Sequence, residues 1–291
     1  MVQTWLITGC SSGFGEEFVR QLRAAGDNVI ATGRNIETKL AHLKDTGCPI
    51  LELDVTSPED VITARINEAW EIYGGIDVIV NNAGYLAIGA FEDTTQANIE
   101  AAMNTMFHGP LNITRAALGK MRPLNKGTIM YVSSYFSRLG AAIATPYCSA
   151  KFALAGAVEC IAEELAFMAP GIKLISLEPG FYHTEVHSKL VCAENRVPAY
   201  AEFREFSLKT TQDIFLAAPG DAKKGVARMI DIGKGTGLAE GKTVPTRLVL
   251  GSDAQEVCRK TSQDALKVLD EWEDVANSTD LDGYVKPAGE A

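Results

Sequence analysis

Short apolar segments alternate with longer amphipathic segments along most of the chain. The short segments are rich in Ile, Val and Leu at consecutive positions, as buried strands are, and the longer ones carry apolar residues at helical spacing. We predict strands over residues 4–8, 28–32, 49–53, 76–80, 127–133, 172–177 and 246–250. We predict helices over residues 15–25, 57–73, 94–121, 146–168, 221–232 and 254–275, the third of them bent or interrupted around Gly109 and Pro110.

This alternation predicts a doubly wound α/β domain. Strands that alternate with helices pair in parallel, and strands that are apolar on both faces belong to a sheet with helices on both sides. We expect a single domain over residues 1–291, with its core at about 3–252.

Two segments lie outside the alternation. Residues 181–218 are aromatic and mixed polar, which favours a helical lid over a pocket, although a surface excursion would have the same pattern. The C-terminal helix at 254–275 has apolar residues spaced to form one buried face, which would cover either a neighbouring chain or its own sheet. These apolar residues are Val257, Leu266, Leu269, Trp272 and Val275.

Composition and charge exclude several classes of function. The chain has 291 residues, 46% of them apolar, so it can bury a sizeable core. Its net charge of -10 disfavours nucleic acid and anionic membranes as partners. Neither a secretory signal nor a membrane span is predicted, and the six scattered cysteines are typical of reduced thiols. We therefore expect a cytoplasmic protein.

A glycine-rich turn follows the first predicted strand. Gly9, Gly13 and Gly15 lie between that strand and the next helix, where backbone amides at a helix N-terminus can receive a phosphate. The spacing differs from the usual G-x-G-x-x-G, but the strand–turn–helix context favours a dinucleotide site.

The end of the second predicted strand indicates which dinucleotide binds. An acidic residue there would bind the ribose 2′-hydroxyl of NAD, whereas a cation would bind the 2′-phosphate of NADP. This chain has Arg34 and no acid at that strand end, so the sequence favours NADP(H) over NAD(H).

A candidate proton-transfer group follows the fifth predicted strand. Tyr147 and Lys151 are one helical turn apart if Pro146 opens a helix, and Ser134 precedes the tyrosine by thirteen residues. A nearby ammonium would lower the pKa of the tyrosine from about 10 towards 7, and the serine would hold a substrate oxygen. Taken alone, this Tyr–Lys pair is more often an ordinary helical contact.

Taken together, these motifs resemble the short-chain dehydrogenase/reductase family, in the branch that includes retinol- and hydroxysteroid-type enzymes. The resemblance covers about residues 4–185 and implies a Rossmann fold and carbonyl–alcohol oxidoreduction. Its motifs are TGCSSGFG at 8–15, Asp54, NNAG at 81–84, Asn104, Ser134, Tyr147, Lys151, and Pro179-Gly180.

The resemblance also implies roles for individual residues. Tyr147 would be the general acid/base, Lys151 would lower its pKa and bind the nicotinamide ribose, and Asn104 would anchor a water that links Lys151 to solvent. The implied catalytic residues are Asn104, Ser134, Tyr147 and Lys151. The implied cofactor-binding residues are Gly9, Ser11, Ser12, Gly13, Phe14, Gly15, Arg34, Asp54, Val55, Asn81, Ala83, Gly84, Tyr147, Lys151, Pro179, Gly180 and Thr184.

Two histidines, one cysteine and a cluster of aromatic residues are further candidates for function. His183 and His187 flank Glu185, but they lack the order of a zinc protease motif, and we predict no metal site. Cys148 is interpreted as a packing residue. The aromatic residues of the lid segment form either a substrate wall or a small core of their own; they are Tyr200, Phe203, Phe206 and Phe215.

The sequence therefore predicts an NADP(H)-dependent oxidoreductase that interconverts a small lipophilic ketone or aldehyde and its alcohol. A non-redox protein that keeps the cofactor site, as a biosynthetic catalyst or an NADP(H) sensor, is the alternative. The resemblance implies a homodimer or homotetramer, with the helices at 94–121 and 146–168 as the candidate interface.

Overall fold

A seven-stranded parallel sheet forms the centre of the computed structural model, which describes residues 2–184 and 190–284. Its strands are β1 (Thr4–Ile7), β2 (Asn28–Gly33), β3 (Ile50–Glu52), β4 (Val78–Asn81), β6 (Gly127–Val132), β7 (Ile172–Pro179) and β11 (Arg247–Leu250). Two short parallel pairs lie outside it, β5 (Ala87–Ile88) with β9 (Val191–Cys192) and β8 (Tyr182–His183) with β10 (Gly220–Asp221).

The helices follow the strands in the predicted alternation. They are α1 (Gly13–Ala24), α2 (Ile36–Lys39), α3 (Glu59–Ile72), α4 (Gln96–Met103), α5 (Gly109–Leu124), α6 (Thr145–Met168), α7 (Ala201–Leu216), α8 (Ala222–Lys234), α9 (Ser252–Glu271) and α10 (Glu273–Asn277). None of the helices in the described ranges is long and apolar enough to cross a bilayer.

The side chains of the central strands point alternately into two hydrophobic cores, one on each face of the sheet. In β1, Leu6 packs into one core with residues of α3, α5 and α6, whereas Trp5 and Ile7 pack into the other with residues of α1 and α8. Because side chains alternate across a sheet, an apolar strand covered on both faces produces two cores. This confirms the predicted doubly wound α/β fold as a single domain.

The strand order reverses direction beside β1. The sheet runs β11-β7-β6-β4-β1-β2-β3, so the chain moves outward from β1 first on one side and then on the other. In such sheets the loops at the carboxyl ends diverge at this reversal and leave a crevice.

The predicted helix at 94–121 consists of two helices joined by a π-helical turn. α4 ends at Met103, residues Asn104–His108 form the turn, and α5 begins at Gly109. Pro110 has no backbone N–H to continue the helical bonding, and Gly109 donates to the Asn104 carbonyl in the wider pattern. The regular helix is therefore interrupted directly before Gly109 and Pro110, as predicted.

The buried face predicted for the C-terminal helix is wrong for most of its length. Ala254 and Cys258 are buried at the start of α9, but Leu266 and Trp272 are 60% and 59% exposed. The periodicity is helical as predicted, yet only the first turns lie against the domain.

Candidate functional site

Ser134, Tyr147 and Lys151 meet at the carboxyl end of β6. Tyr147 is in the first turn of α6, which Pro146 helps to open, and Lys151 follows one turn later. The Lys151 Nζ lies 5.5 Å from the centre of the Tyr147 ring and donates to the Val132 carbonyl at 2.9 Å. Ser134 hydrogen-bonds the tyrosine hydroxyl.

Burial, rather than the lysine charge, has the largest effect on this pair. Desolvation raises the pKa of Tyr147 to about 12, against a smaller lowering by the Ser134 hydrogen bond. Desolvation also lowers the pKa of Lys151 to about 8. The protein alone therefore keeps the phenol protonated at neutral pH, whereas the sequence predicted a pKa near 7.

At the glycine turn, the backbone at the start of α1 lies close to the backbone that follows β1. Gly9 and Gly13 have φ of +71° and +59°, a region that favours glycine. A Cβ on Gly15 would lie 2.3 Å from the Gly9 carbonyl oxygen. Gly15 therefore allows α1 to approach the turn and does not line the cleft.

Asn82, which the sequence analysis did not single out, holds the backbone of this turn in place. The Asn82 Nδ2 donates to the carbonyls of Thr8 and Gly9 at 2.8 and 3.2 Å. Asn81 is buried behind the cleft, and its amide atoms have no partner among the described residues. Asn81, predicted as a cofactor-binding residue, thus does not line the cleft, whereas Asn82 does.

The carboxyl ends of β2 and β3 hold charged groups beside the turn. Arg34 Nη1 lies 3.8 Å from Asp54 Oδ2, and Lys39 joins Arg34 in lining the cleft. The Glu52 carboxylate accepts the backbone N–H groups of Asn35 and Ile36 at 2.8 and 3.1 Å. Glu52 therefore fixes the loop that carries Arg34. Lys39 and Glu52 were missed because their proximity depends on the pairing of β2 with β3.

One cleft of about 940 Å³ joins these groups. The predicted residues that line it are Gly9, Ser11, Ser12, Gly13, Phe14, Arg34, Asp54, Val55, Ala83, Gly84, Ser134, Tyr147, Lys151, Pro179, Gly180 and Thr184. The predicted residues that do not line it are Gly15, Asn81 and Asn104.

Asn104 is exposed at the start of the π-helical turn, outside the cleft. Met106 lines the cleft instead and packs in a buried cluster against Tyr147 and Ala150. The π-helical turn changes which residues of the segment face α6, and regular helical spacing did not anticipate it. The geometry therefore does not support the catalytic role predicted for Asn104.

Aromatic side chains form the wall beside Ser134 and Tyr147. Phe181 makes edge contacts with Tyr135, Phe136 and Phe215, with ring centres 5.9, 6.0 and 5.1 Å apart. Phe215 at the end of α7 is the one member of the predicted lid cluster that is buried in this wall. Tyr200 and Phe203 contact each other outside the wall, and Phe203 and Phe206 are exposed, so the four residues do not form a buried core of their own.

Polar contacts from distant segments fix the loops of this wall. The buried Glu178 carboxylate at the end of β7 binds Arg138, Arg247 and the Ser137 hydroxyl. These contacts join the loop after Ser134 to the edge strand β11. The sequence did not indicate this network, because its members are far apart in the chain.

An ion pair and a hydrogen bond to Asp93 attach the lid segment to the rest of the domain. Arg204 on α7 binds the buried Asp93 carboxylate, with Nε to Oδ2 at 2.8 Å. The other carboxylate oxygen of Asp93 accepts the Val197 N–H at 2.8 Å, and this bond is the main cause of a lowered Asp93 pKa.

The remaining candidates do not form a second site. His183 is exposed, His187 lies outside the described residues, and Cys148 is buried with a raised pKa caused by desolvation. Within residues 2–184 and 190–284, no cluster of His, Cys, Asp and Glu has the arrangement of a metal site.

Comparisons with known proteins agree with this geometry. The family model described as short chain dehydrogenase matches residues 3–195. The chain is 32% identical to "Oxidoreductase BOA17" of Botryotinia fuckeliana over 284 residues, covering 95% of this chain and 98% of that one. It is 30% identical to "NADPH-dependent pterin aldehyde reductase" of Arabidopsis thaliana, covering 75% and 90%.

Among solved structures, a short-chain dehydrogenase from Streptomyces avermitilis superposes with a TM-score of 0.82 at 32% identity, over 96% of this chain and 98% of that chain. The family model, the full-length relative and the Streptomyces avermitilis structure all indicate the same family. The chain belongs to the short-chain dehydrogenase/reductase family of oxidoreductases.

Proposed function

We propose that the chain is an NADP(H)-dependent oxidoreductase that interconverts a lipophilic ketone or aldehyde and its alcohol. The observation that carries this proposal is that one cleft holds a proton-transfer group at one end and a glycine turn with Arg34 and Lys39 at the other. A dinucleotide placed along such a cleft connects both ends.

The residues of the cleft fit a nicotinamide dinucleotide phosphate. The glycine turn lies at the N-terminus of α1, where backbone amides favour an anion, and Arg34 and Lys39 suit a ribose 2′-phosphate. Asp54 has the acceptor needed for an adenine amino group, and its Oδ1 is held by the Thr56 N–H and hydroxyl at 2.9 and 2.8 Å. A bound cofactor of this kind supplies or accepts a hydride.

The protonation state of Tyr147 favours reduction. A phenol with a pKa of about 12 is protonated at neutral pH and can donate its proton to a developing alkoxide, while Ser134 orients the substrate oxygen. Lys151, held on the Val132 carbonyl, provides positive charge beside the phenolate that remains. In the oxidative direction Tyr147 would first have to lose that proton.

The wall beside Tyr147 favours an uncharged, apolar substrate. Phe136, Phe181 and Phe215 line this part of the cleft, and Arg34, Lys39 and Asp54 lie several strands away at the ends of β2 and β3. Among the described residues that line this end of the cleft, only Lys151 has a charged side chain. Among the described residues, the aromatic side chains of this wall offer no cationic partner to a substrate carboxylate or phosphate.

Turnover by the purified chain tests the proposal. We expect oxidation of NADPH with lipophilic ketones or aldehydes, weaker oxidation of NADH, and loss of turnover in Tyr147→Phe. Tyr73→Phe removes an exposed hydroxyl outside the cleft and is the matched control. NADPH binding without turnover across a broad panel would favour the non-redox alternative, and an NADH preference would contradict the role of Arg34.

A further inference from the structure

The C-terminal helix α9 leaves the domain after its first turns. Ala254 and Cys258 pack in a small cluster with Tyr135, but every described residue from Ser262 to Tyr284 is exposed. At 1.5 Å per residue, the stretch from Ser262 to the end of α9 extends about 15 Å beyond its buried root.

This projecting segment exposes large apolar side chains on α9 and at the start of α10. An isolated helix of this length is marginal in water, and a cluster of exposed apolar residues indicates an interaction surface. We call this the tail face. Its members are Leu266, Val268, Leu269, Trp272 and Val275, each between 55% and 68% exposed.

We propose that the tail face binds the same face of a second copy of this chain, with the two α9 helices antiparallel. The spacing of the residues supports a helix pair. Thr261, Ala265 and Val268 on α9, and Trp272 directly after its last residue, follow one another at intervals of four, three and four, which is the spacing of the seam of a two-helix coiled coil.

The distribution of charge along the segment favours the antiparallel arrangement. Arg259 and Lys260 lie at the root, and the tip is acidic, with Asp270, Glu271, Glu273 and Asp274. Within residues 2–184 and 190–284, none of these six side chains forms an ion pair, although other exposed pairs such as Asp264–Lys267 do. Parallel pairing would place acid against acid, whereas antiparallel pairing places each basic root beside an acidic tip.

One alignment of the two α9 helices satisfies both the seam spacing and the distribution of charge. If Ala265 of one copy faces Val268 of the other, Thr261 faces Trp272, and Arg259 reaches the level of Asp274. The two-fold axis then passes between Leu266 and Lys267. A symmetric contact of this kind closes on itself and uses the same surface twice.

The mass of the full chain in solution tests this surface. We expect the double variant Leu269→Glu/Trp272→Glu to have half the mass of the wild type in sedimentation velocity. Leu238→Glu places the same charge at an equally exposed leucine outside the tail face and is expected to keep the wild-type mass. An unchanged mass for the double variant would overturn the proposal.

Charge reversal tests the orientation. Arg259→Glu/Lys260→Glu is expected to weaken association at least tenfold, and adding Glu273→Lys/Asp274→Lys to the same chain is expected to restore it. If the four-residue variant does not associate, the antiparallel pair is excluded. The pair is also excluded if the wild-type chain is a monomer that binds neutral phosphatidylcholine vesicles through Leu269 and Trp272. Circular dichroism of each variant checks that the helix content is unchanged.

Discussion

The carboxylate of Asp253 accepts a hydrogen bond from the backbone N–H of Phe181, with 2.8 Å between Oδ2 and the nitrogen. This contact joins the first turn of α9 to the loop that follows β7, which begins with Gly180 and runs along the cleft. A Cβ on Gly180 would lie 2.3 Å from Asp253 Oδ1, so the carboxylate approaches the loop only because that residue is glycine. Asp253 is thus a positioning residue for the aromatic wall.

Replacing Asp253 should disturb both substrate binding and stability. Asp253→Ala leaves the Phe181 N–H without its partner, which costs about 1–3 kcal/mol and loosens the loop. We expect KM for the carbonyl substrate to rise roughly tenfold, with a smaller change in kcat. Asp253→Asn keeps an acceptor oxygen and should recover most of the loss; equal defects in the two variants would contradict the hydrogen-bond role.

Neutralising the cations at the end of β2 should change cofactor preference. Arg34→Leu and Lys39→Leu each remove a charged partner for a 2′-phosphate, a loss of about 1.5–3 kcal/mol, or roughly 10–100-fold in affinity. We expect KM for NADPH to rise by that factor and KM for NADH to change little. Lys44→Leu, at an exposed lysine paired with Glu37 outside the cleft, is the control. Parallel losses for both cofactors would indicate a folding defect instead.

Substitutions in the π-helical turn should separate Asn104 from Met106. Asn104→Ala alters an exposed side chain outside the cleft, so we expect kcat to stay within about twofold of the wild type. Met106→Ala opens a cavity beneath Tyr147 and should cost about 2–5 kcal/mol of stability and reduce kcat. Met106→Leu conserves volume and should retain most of both. A large loss of kcat in Asn104→Ala would restore the role inferred from the family pattern.

The buried Lys151 should destabilise the fold in a pH-dependent way. Its pKa falls from 10.5 to about 8 on folding, so between these values the unfolded chain binds more protons and stability rises with pH. The full penalty, about 3 kcal/mol, applies below pH 8. We expect inactive Lys151→Met to be more stable than the wild type at pH 7 and to lose this advantage as the pH approaches 10.5.

Chemical denaturation at several pH values measures this difference. The control is Lys126→Met, since Lys126 is exposed and paired with Asp77. A constant difference between Lys151→Met and the wild type across the whole range would contradict the lowered pKa.

Local patterns were sufficient for the parts of the molecule that depend on neighbouring residues. The apolar strand segments, the glycine turn and the Tyr147–Lys151 spacing all came from residues within one or two turns of each other. The role of Asn104 was implied by the family resemblance, and the structure places Asn104 outside the cleft because a π-helical turn, which periodicity does not encode, shifts the facing residues.

The sequence by itself determined the doubly wound sheet, the glycine turn after the first strand and the spacing of Ser134, Tyr147 and Lys151, because hydrophobic period and short motifs specify local backbone. Only the tertiary structure decided that Asn82 holds the glycine turn, that Asp253 reaches Phe181 from the far end of the chain, and that α9 projects from the domain. The contacts of Asn82 and Asp253 join residues that are far apart in sequence. Burial is also a property of the tertiary structure, and it has the largest effect on the pKa of Tyr147.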